Sequence, residues 1–251
     1  MAKTPLHLSP RSVARSTLMA LSLCGLMAFA PPEFRVESNV VAATAPAIVK
    51  SEFIYEVSPY PQSHASTLAE TKAGTLTAAW FGGTHERNPD VGIWFARNIG
   101  GKWQDAKELA NGVQPDDKPR LPTWNPVLFQ QPGGDLFLFY KVGPSPQAWW
   151  GMVITSSDDG ETWSKPQRLP DGILGPIKNR TVALADGTWL SPTSSELSEG
   201  VNEAGGGGWS LYFERSEDGG RTWTKTAPVA SPLKIDAIQP SILFQIGRAH
   251  V

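Results

Sequence analysis

Short apolar runs separated by glycine turns dominate the chain from about residue 60 onward, and the helical spacing of apolar positions is almost absent. Residues 67–70 and 75–81 flank a turn at Lys72-Ala73-Gly74. Residues 126–130 and 136–140 flank Pro132-Gly133-Gly134, and residues 181–184 and 188–191 flank Ala185-Asp186-Gly187. Each reads as a β-hairpin: glycine accepts the positive φ of a tight turn, and the flanking runs suit a half-buried pleated surface. A further strand-like run follows, as at residues 152–155 and 211–214.

An octapeptide then repeats. Ser156-Ser157-Asp158-Asp159-Gly160-Glu161-Thr162-Trp163 returns as Ser216-Glu217-Asp218-Gly219-Gly220-Arg221-Thr222-Trp223, so both copies read Ser-x-Asp-x-Gly-x-Thr-Trp. Trp163 and Trp223 are 60 residues apart, and Trp103, in a degenerate copy over residues 97–103, lies another 60 upstream. A fixed long period implies stacked supersecondary units. Asp and Gly shape the turn, and the Trp after it offers a large apolar face to the neighbouring unit. Asp158 and Asp218 are therefore expected to be structural rather than catalytic. With one more strand after each Trp, the repeat has four strands, which describes a propeller blade. The expected fold is an all-β propeller with about three blades and the start of a fourth at Ile238. The period exceeds common blade lengths, so long loops should decorate one face, at residues 82–90, 143–147 and 196–208.

The first 45 residues differ in kind. Lys3, Arg11 and Arg15 precede an uncharged apolar stretch over residues 18–30. It is short for a membrane span and has the form of a signal-peptide core, with an uncleaved anchor as the alternative. The expectation is a signal peptide and linker over 1–45, a secreted or periplasmic protein, and no membrane span after cleavage. Cys24, the only cysteine, lies in that segment, so the mature core must hold without disulfides. At the other end, residues 246–251 are what the codons ATC GGA AGA GCA CAC GTC encode, a common sequencing-adapter read. The native sequence is expected to stop near Gln245 and the gene to continue, leaving a partial propeller over 46–245. Across 46–245 the formal charge is −5, once the basic leader and Arg248 are set aside from the chain's −2. That disfavours nucleic acid or an anionic membrane as partner.

Several segments together resemble the sialidase (neuraminidase) superfamily of BNR, or Asp-box, repeat proteins, in its bacterial and plant sialidase-like subgroup. Besides the boxes they are Ser63-His64-Ala65-Ser66-Thr67, Ala79-Trp80-Phe81-Gly82-Gly83-Thr84-His85-Glu86 through Asp90-Val91-Gly92-Ile93-Trp94, Trp124-Asn125-Pro126-Val127-Leu128, Phe139-Tyr140-Lys141-Val142-Gly143, Trp149-Trp150-Gly151, Gly172-Ile173-Leu174-Gly175-Pro176-Ile177-Lys178-Asn179 and Ile238-Gln239-Pro240-Ser241. The resemblance implies a six-bladed propeller that hydrolyses a terminal acidic sugar from a glycan. It implies three arginines on the substrate carboxylate, an Asp acid/base, and a Tyr nucleophile activated by a Glu. His64 stands at the place of the first arginine, Asp90 is the choice for the acid/base, and Gln239 stands at the place of the Glu. The other arginines and the Tyr would lie beyond Gln245.

Each candidate has a structural alternative. His64 is either a backbone-bonded histidine or a substrate or acid/base group. Glu86 and Arg87 share a glycine-flanked loop with Asp90, which could equally cap its turn. Of Trp149 and Trp150, one is expected in the core and the other, Trp150, against a sugar ring. Lys141, Lys178 and Arg180 are solvated cations or holders of an anionic substrate group, and Glu196 is the spare carboxylate. No metal constellation and no phosphate loop appear, so no cofactor is expected. The expected function is an exo-acting, sialidase-like glycosidase. The alternatives are a His64-centred glycan enzyme on the same scaffold and a non-catalytic carbohydrate-binding propeller.

Overall fold

Alternation of burial sets the first strand: in β1 (Gln62–Glu70) Ala65, Thr67 and Ala69 are buried and the residues between them exposed. The computed structural model describes residues 50–196, 208–230 and 236–244. The segment 1–45 with Cys24, the glycine-rich loop over 197–207 and the tail over 246–251 lie outside the described residues.

Three antiparallel sheets follow one another along the chain. The first contains β1, β2 (Leu76–Gly83), β3 (Gly92–Ile99) and β4 (Lys102–Trp103), with β5 (Lys107–Ala110) also pairing β3. The second contains β6 (Thr123–Gln130), β7 (Leu136–Val142), β8 (Trp150–Ser156) and β9 (Gln167–Arg168). The third contains β10 (Val182–Ala183), β11 (Trp189–Glu196), β12 (Trp209–Ser216) and β13 (Thr224–Lys225). Each is an antiparallel meander of four strands in chain order, to which the first sheet adds β5 beside β3, and the described residues contain no helix. These are propeller blades, as the repeat implied. The three expected hairpin turns are present, with Gly74, Gly133 and Gly187 at positive φ.

Blade two is buried on both faces because its neighbours stack on either side. Leu138 and Tyr140 of β7 pack into one cluster with Phe81, Ile93 and Phe95 of blade one. Phe139, on the opposite face of β7, packs with Phe129, Leu169 and Trp189 toward blade three. The box tryptophans close both seams. Trp163 sits edge-on to Phe95 at 5.2 Å, and Trp223 edge-on to Phe139 at 6.1 Å. Each anchor therefore buries against the preceding blade.

Two details differ from the sequence reading. The degenerate box at residues 97–103 is a two-residue hairpin, Asn98 pairing Trp103, with Gly100 and Gly101 both at positive φ. It has no Asp to template the longer turn, so two glycines make a tighter one. Residues 241–244, where a fourth blade was expected to have begun, form no ladder among the described residues. A strand needs a partner, and only the residues just before it, Gln239 and Pro240, are held, by single bonds to Asn179 and Ser194.

Candidate functional site

The box aspartates are occupied by their own turns. Asp158 Oδ1 accepts from the Thr162 backbone N–H (2.9 Å) and Ser156 Oγ (2.7 Å), and Oδ2 accepts from Thr162 Oγ1 (2.5 Å). Asp218 repeats the pattern with Thr222 and Ser216. Hydroxyl and amide donors hold both carboxyls well below the usual carboxylate range, that of Asp218 at about 2. These boxes follow the C-terminal ends of β8 and β12, so the candidate site must be sought at the opposite strand ends. Register confirms the separation in blade two: Leu136 pairs Ser156 at the box end and Val142 pairs Trp150 at the other.

At that opposite end the inner strands begin irregularly. The β1–β2 register shifts between His64 and Thr67, with Ala65 at φ 54°. The β6–β7 register shifts between Trp124 and Val127, with Asn125 at φ 39°, 60 residues later. Gln239 has φ 56° in the segment after blade three. Non-glycine residues with positive φ are uncommon, and bulges of this kind re-aim side chains beside functional sites. The irregular segments also hold one another. Lys178 Nζ donates to Ser66 O (2.9 Å), Asn179 Nδ2 donates to Gln239 O (2.9 Å), and the Gln239 N–H donates to Ser194 Oγ (3.2 Å).

The bulge brings His64 against the loop after β2. Its Nδ1 lies 3.1 Å from Glu86 Oε2, with the two side chains 69% and 48% exposed, open enough to meet a ligand. His64, His85, Glu86 and Phe81 line a cavity of about 390 Å³. Glu196, at the end of β11 in blade three, lines a different cavity. Burial, then the negative charge of Glu86, push the Glu196 carboxyl above its ordinary range. Glu86 and Glu196, from two different blades, are therefore electrostatically coupled.

The other candidates fall elsewhere. Asp90 ties up its own loop: its carboxylate accepts from the Thr84 N–H (3.1 Å) and Thr84 Oγ1 (2.6 Å), and it does not line the His64 cavity. Arg87, at φ 74°, and Arg180 are exposed and are not in that lining either. Lys178 is half-buried, and burial lowers its pKa. Trp149 and Trp150 are both half-buried, rather than one in the core, and both line a second cavity of which Glu196 forms a wall. Lys141 is a correction. It is fully buried, and its Nζ donates to Pro176 O, so it reaches no substrate. On a strand covered on both faces, no position is left for a solvated cation.

Glu214 was missed by sequence reasoning. It is buried on β12, accepts from the Leu174 N–H (2.8 Å) and Gly175 N–H (2.6 Å), and with Lys141 clamps the linker between blades two and three. Burial pushes Glu214 up, to about 7, and Lys141 down, while each opposes the other's shift. The available signal was alternation: Glu214 shares a strand face with Tyr212, which is itself buried.

Comparison with known proteins agrees with this architecture. The family model described as a BNR repeat-like domain matches residues 74–251. The Hadza microbial sialidase Hz136 superposes with a TM-score of 0.55 at 17% identity, over 66% of this chain and 37% of that one. A protein of unknown function from Dyadobacter fermentans gives 0.55 at 18%, over 72% and 58%. The NanB sialidase from Streptococcus pneumoniae gives 0.52 at 12%, over 72% and 46%. The chain thus spans less than two thirds of the length of each of these structures. No curated protein matches the sequence. The fold is that of the sialidase β-propellers, and no helix among the described residues is long and apolar enough to cross a membrane.

Proposed function

The chain belongs to the BNR repeat-like domain family, and on that premise we propose that it is a sialidase-like exo-glycosidase that cleaves a terminal acidic sugar from a glycan. The observation that carries this reading is the His64–Glu86 pair on the wall of its cavity, with the Glu196 carboxyl electrostatically coupled to Glu86. A glycosidase that works by direct attack of water needs a carboxyl to protonate the leaving oxygen and a second group that activates the attacking water. Glu196 meets the first requirement, because burial and Glu86 both favour its protonated form. It would protonate the glycosidic oxygen as the bond to the sugar breaks. His64 meets the second. If Nδ1–H donates to Glu86, Nε2 is left with its lone pair and takes the proton of the water that attacks the sugar. Lys178, half-buried in the linker before β10, supplies a cation for an anionic substituent.

In this reading Asp90 is a positioning residue, since its carboxylate closes the loop that carries Glu86. The similarity to named sialidases supports the scaffold, and function lives in the site grafted on it. A pH–rate profile of the full-length gene product on terminal uronic and sialic glycosides tests the assignment. The rate should fall on the alkaline side as Glu196 loses its proton, and Glu196→Gln should abolish that limb, while His64→Ala should lower the rate by about 10²-fold. Saturable glycan binding with no product at any pH would replace the enzyme with a carbohydrate-binding propeller.

A further inference from the structure

We propose that the cavity walled by Trp149, Trp150, Arg168, Asp171 and Glu196 is a second sugar subsite, which takes one neutral pyranose ring on the leaving-group side of Glu196. Its place in the reaction rests on the glycosidase reading above, but its capacity to bind does not. The cavity measures about 230 Å³. Pockets for drug-sized ligands run from about 300 Å³ upward, so this one suits a single ring.

The lining has the chemistry of a sugar. Trp149, set edge-on to buried Trp124 at 5.9 Å, presents apolar surface for the C–H face of a pyranose. The guanidinium of Arg168 lies 4.9 Å from the Trp150 ring centroid and pairs with Asp171 at 3.2 Å. An Arg held over an aromatic ring keeps its planar fork in place with little entropy left to lose. Arg168 then donates and Asp171 accepts, which is what adjacent sugar hydroxyls require. The two charges cancel, so the cavity does not select an anion, in contrast to the reading for the terminal sugar.

The outer wall is built rather than accidental. It is the linker from β9 toward blade three, and it is fixed at several points. The Leu169 N–H donates to Gly151 O (2.9 Å), and the Ile173 N–H donates to Pro170 O (3.0 Å). A Cβ on Gly151 would lie 2.7 Å from Leu174 O, so strand and linker meet without a side chain between them. Beneath, buried Glu214 holds the Leu174 and Gly175 amides, and Lys141 holds Pro176. A preformed wall lowers the ordering cost of binding. Glu196 forms part of this cavity's wall, so the subsite lies beside the carboxyl that the glycosidase reading makes the acid. In that reading the sugar that departs with the protonated oxygen occupies this cavity.

The test is direct binding of lactose, cellobiose and maltose to the full-length protein, read by saturation-transfer NMR and tryptophan fluorescence. Arg168→Ala and Asp171→Asn serve as variants; both side chains are largely exposed, and thermal melts check their folding. At least one disaccharide should bind, and each variant should weaken it by about tenfold or more. No binding by any of the three, or equal binding by folded variants, overturns the subsite. Binding without hydrolysis of any substrate supports the subsite and removes the glycosidase reading. Hydrolysis of simple aryl glycosides by a protein that binds none of the disaccharides removes the subsite alone.

Discussion

Asp218 and Glu214 show opposite uses of a carboxylate. Asp218 lies at the surface, and donors from Ser216 and Thr222 favour its charged form. Its folded pKa of about 2 is below the ordinary value, so its contribution is present above about pH 4 and lost as pH falls toward 2. Asp218→Asn should therefore melt below wild type at pH 7, with the gap closing toward pH 2; a gap independent of pH would contradict the hydrogen-bonding account. Glu214 is buried, and its folded pKa is raised to about 7. The sign reverses: the extra stability is complete below about pH 4.5 and is lost as pH rises through 7. Between those limits wild type should lose melting temperature relative to Glu214→Gln, and parallel curves would refute the shift. The role of Asp218 was legible in the sequence because its partners lie two to four residues away. Glu214 was not, since its donors lie 40 and 39 residues upstream and only folding brings them near. Lys141 misled for the same reason.

At the scale of elements, the repeat is a device for stacking sheets. Gly160 and Gly220 must stay bare, because a Cβ on either would lie 2.7 Å from Phe95 or 2.8 Å from Trp189. The Trp three residues later then seals the seam, its indole N–H returned to the glycine carbonyl. Trp163→Ala should destabilise the protein by about 2 kcal/mol, less than full burial would give because the ring is half-exposed. Urea unfolding measures this directly, and a change below about 0.5 kcal/mol would show that the blades do not rely on the anchor. Blade count, hairpins and anchors were readable from spacing alone. The bulges at Ala65 and Asn125 were not, because nothing in Ser-His-Ala-Ser announces a left-handed alanine. The nearest sequence sign is the proline after Asn125 and after Gln239.

Across the molecule, the linker into blade three reaches back to blade one, where Lys178 bonds Ser66 O. His64 and Glu86 come from the first blade and Glu196 from the third, more than 100 residues away. Sequence supplied these residues as separate candidates but could not group them, nor could it show Asp90 turned to Thr84 while Glu86 faces His64. The sheet order makes the grouping, because successive blades bring equivalent strand ends to one face. The most direct test of the proposed chemistry is the hydrolysis rate of the full-length gene product on terminal acidic glycosides, wild type beside Glu196→Gln and Asp90→Asn. If Glu196 is the acid, Glu196→Gln should lose about 10²-fold or more in kcat on poor leaving groups and much less on activated aryl glycosides, with Asp90→Asn affected less severely. If Glu196→Gln retains wild-type rates while Asp90→Asn is inactive, the acid is Asp90 and the account of this site is wrong.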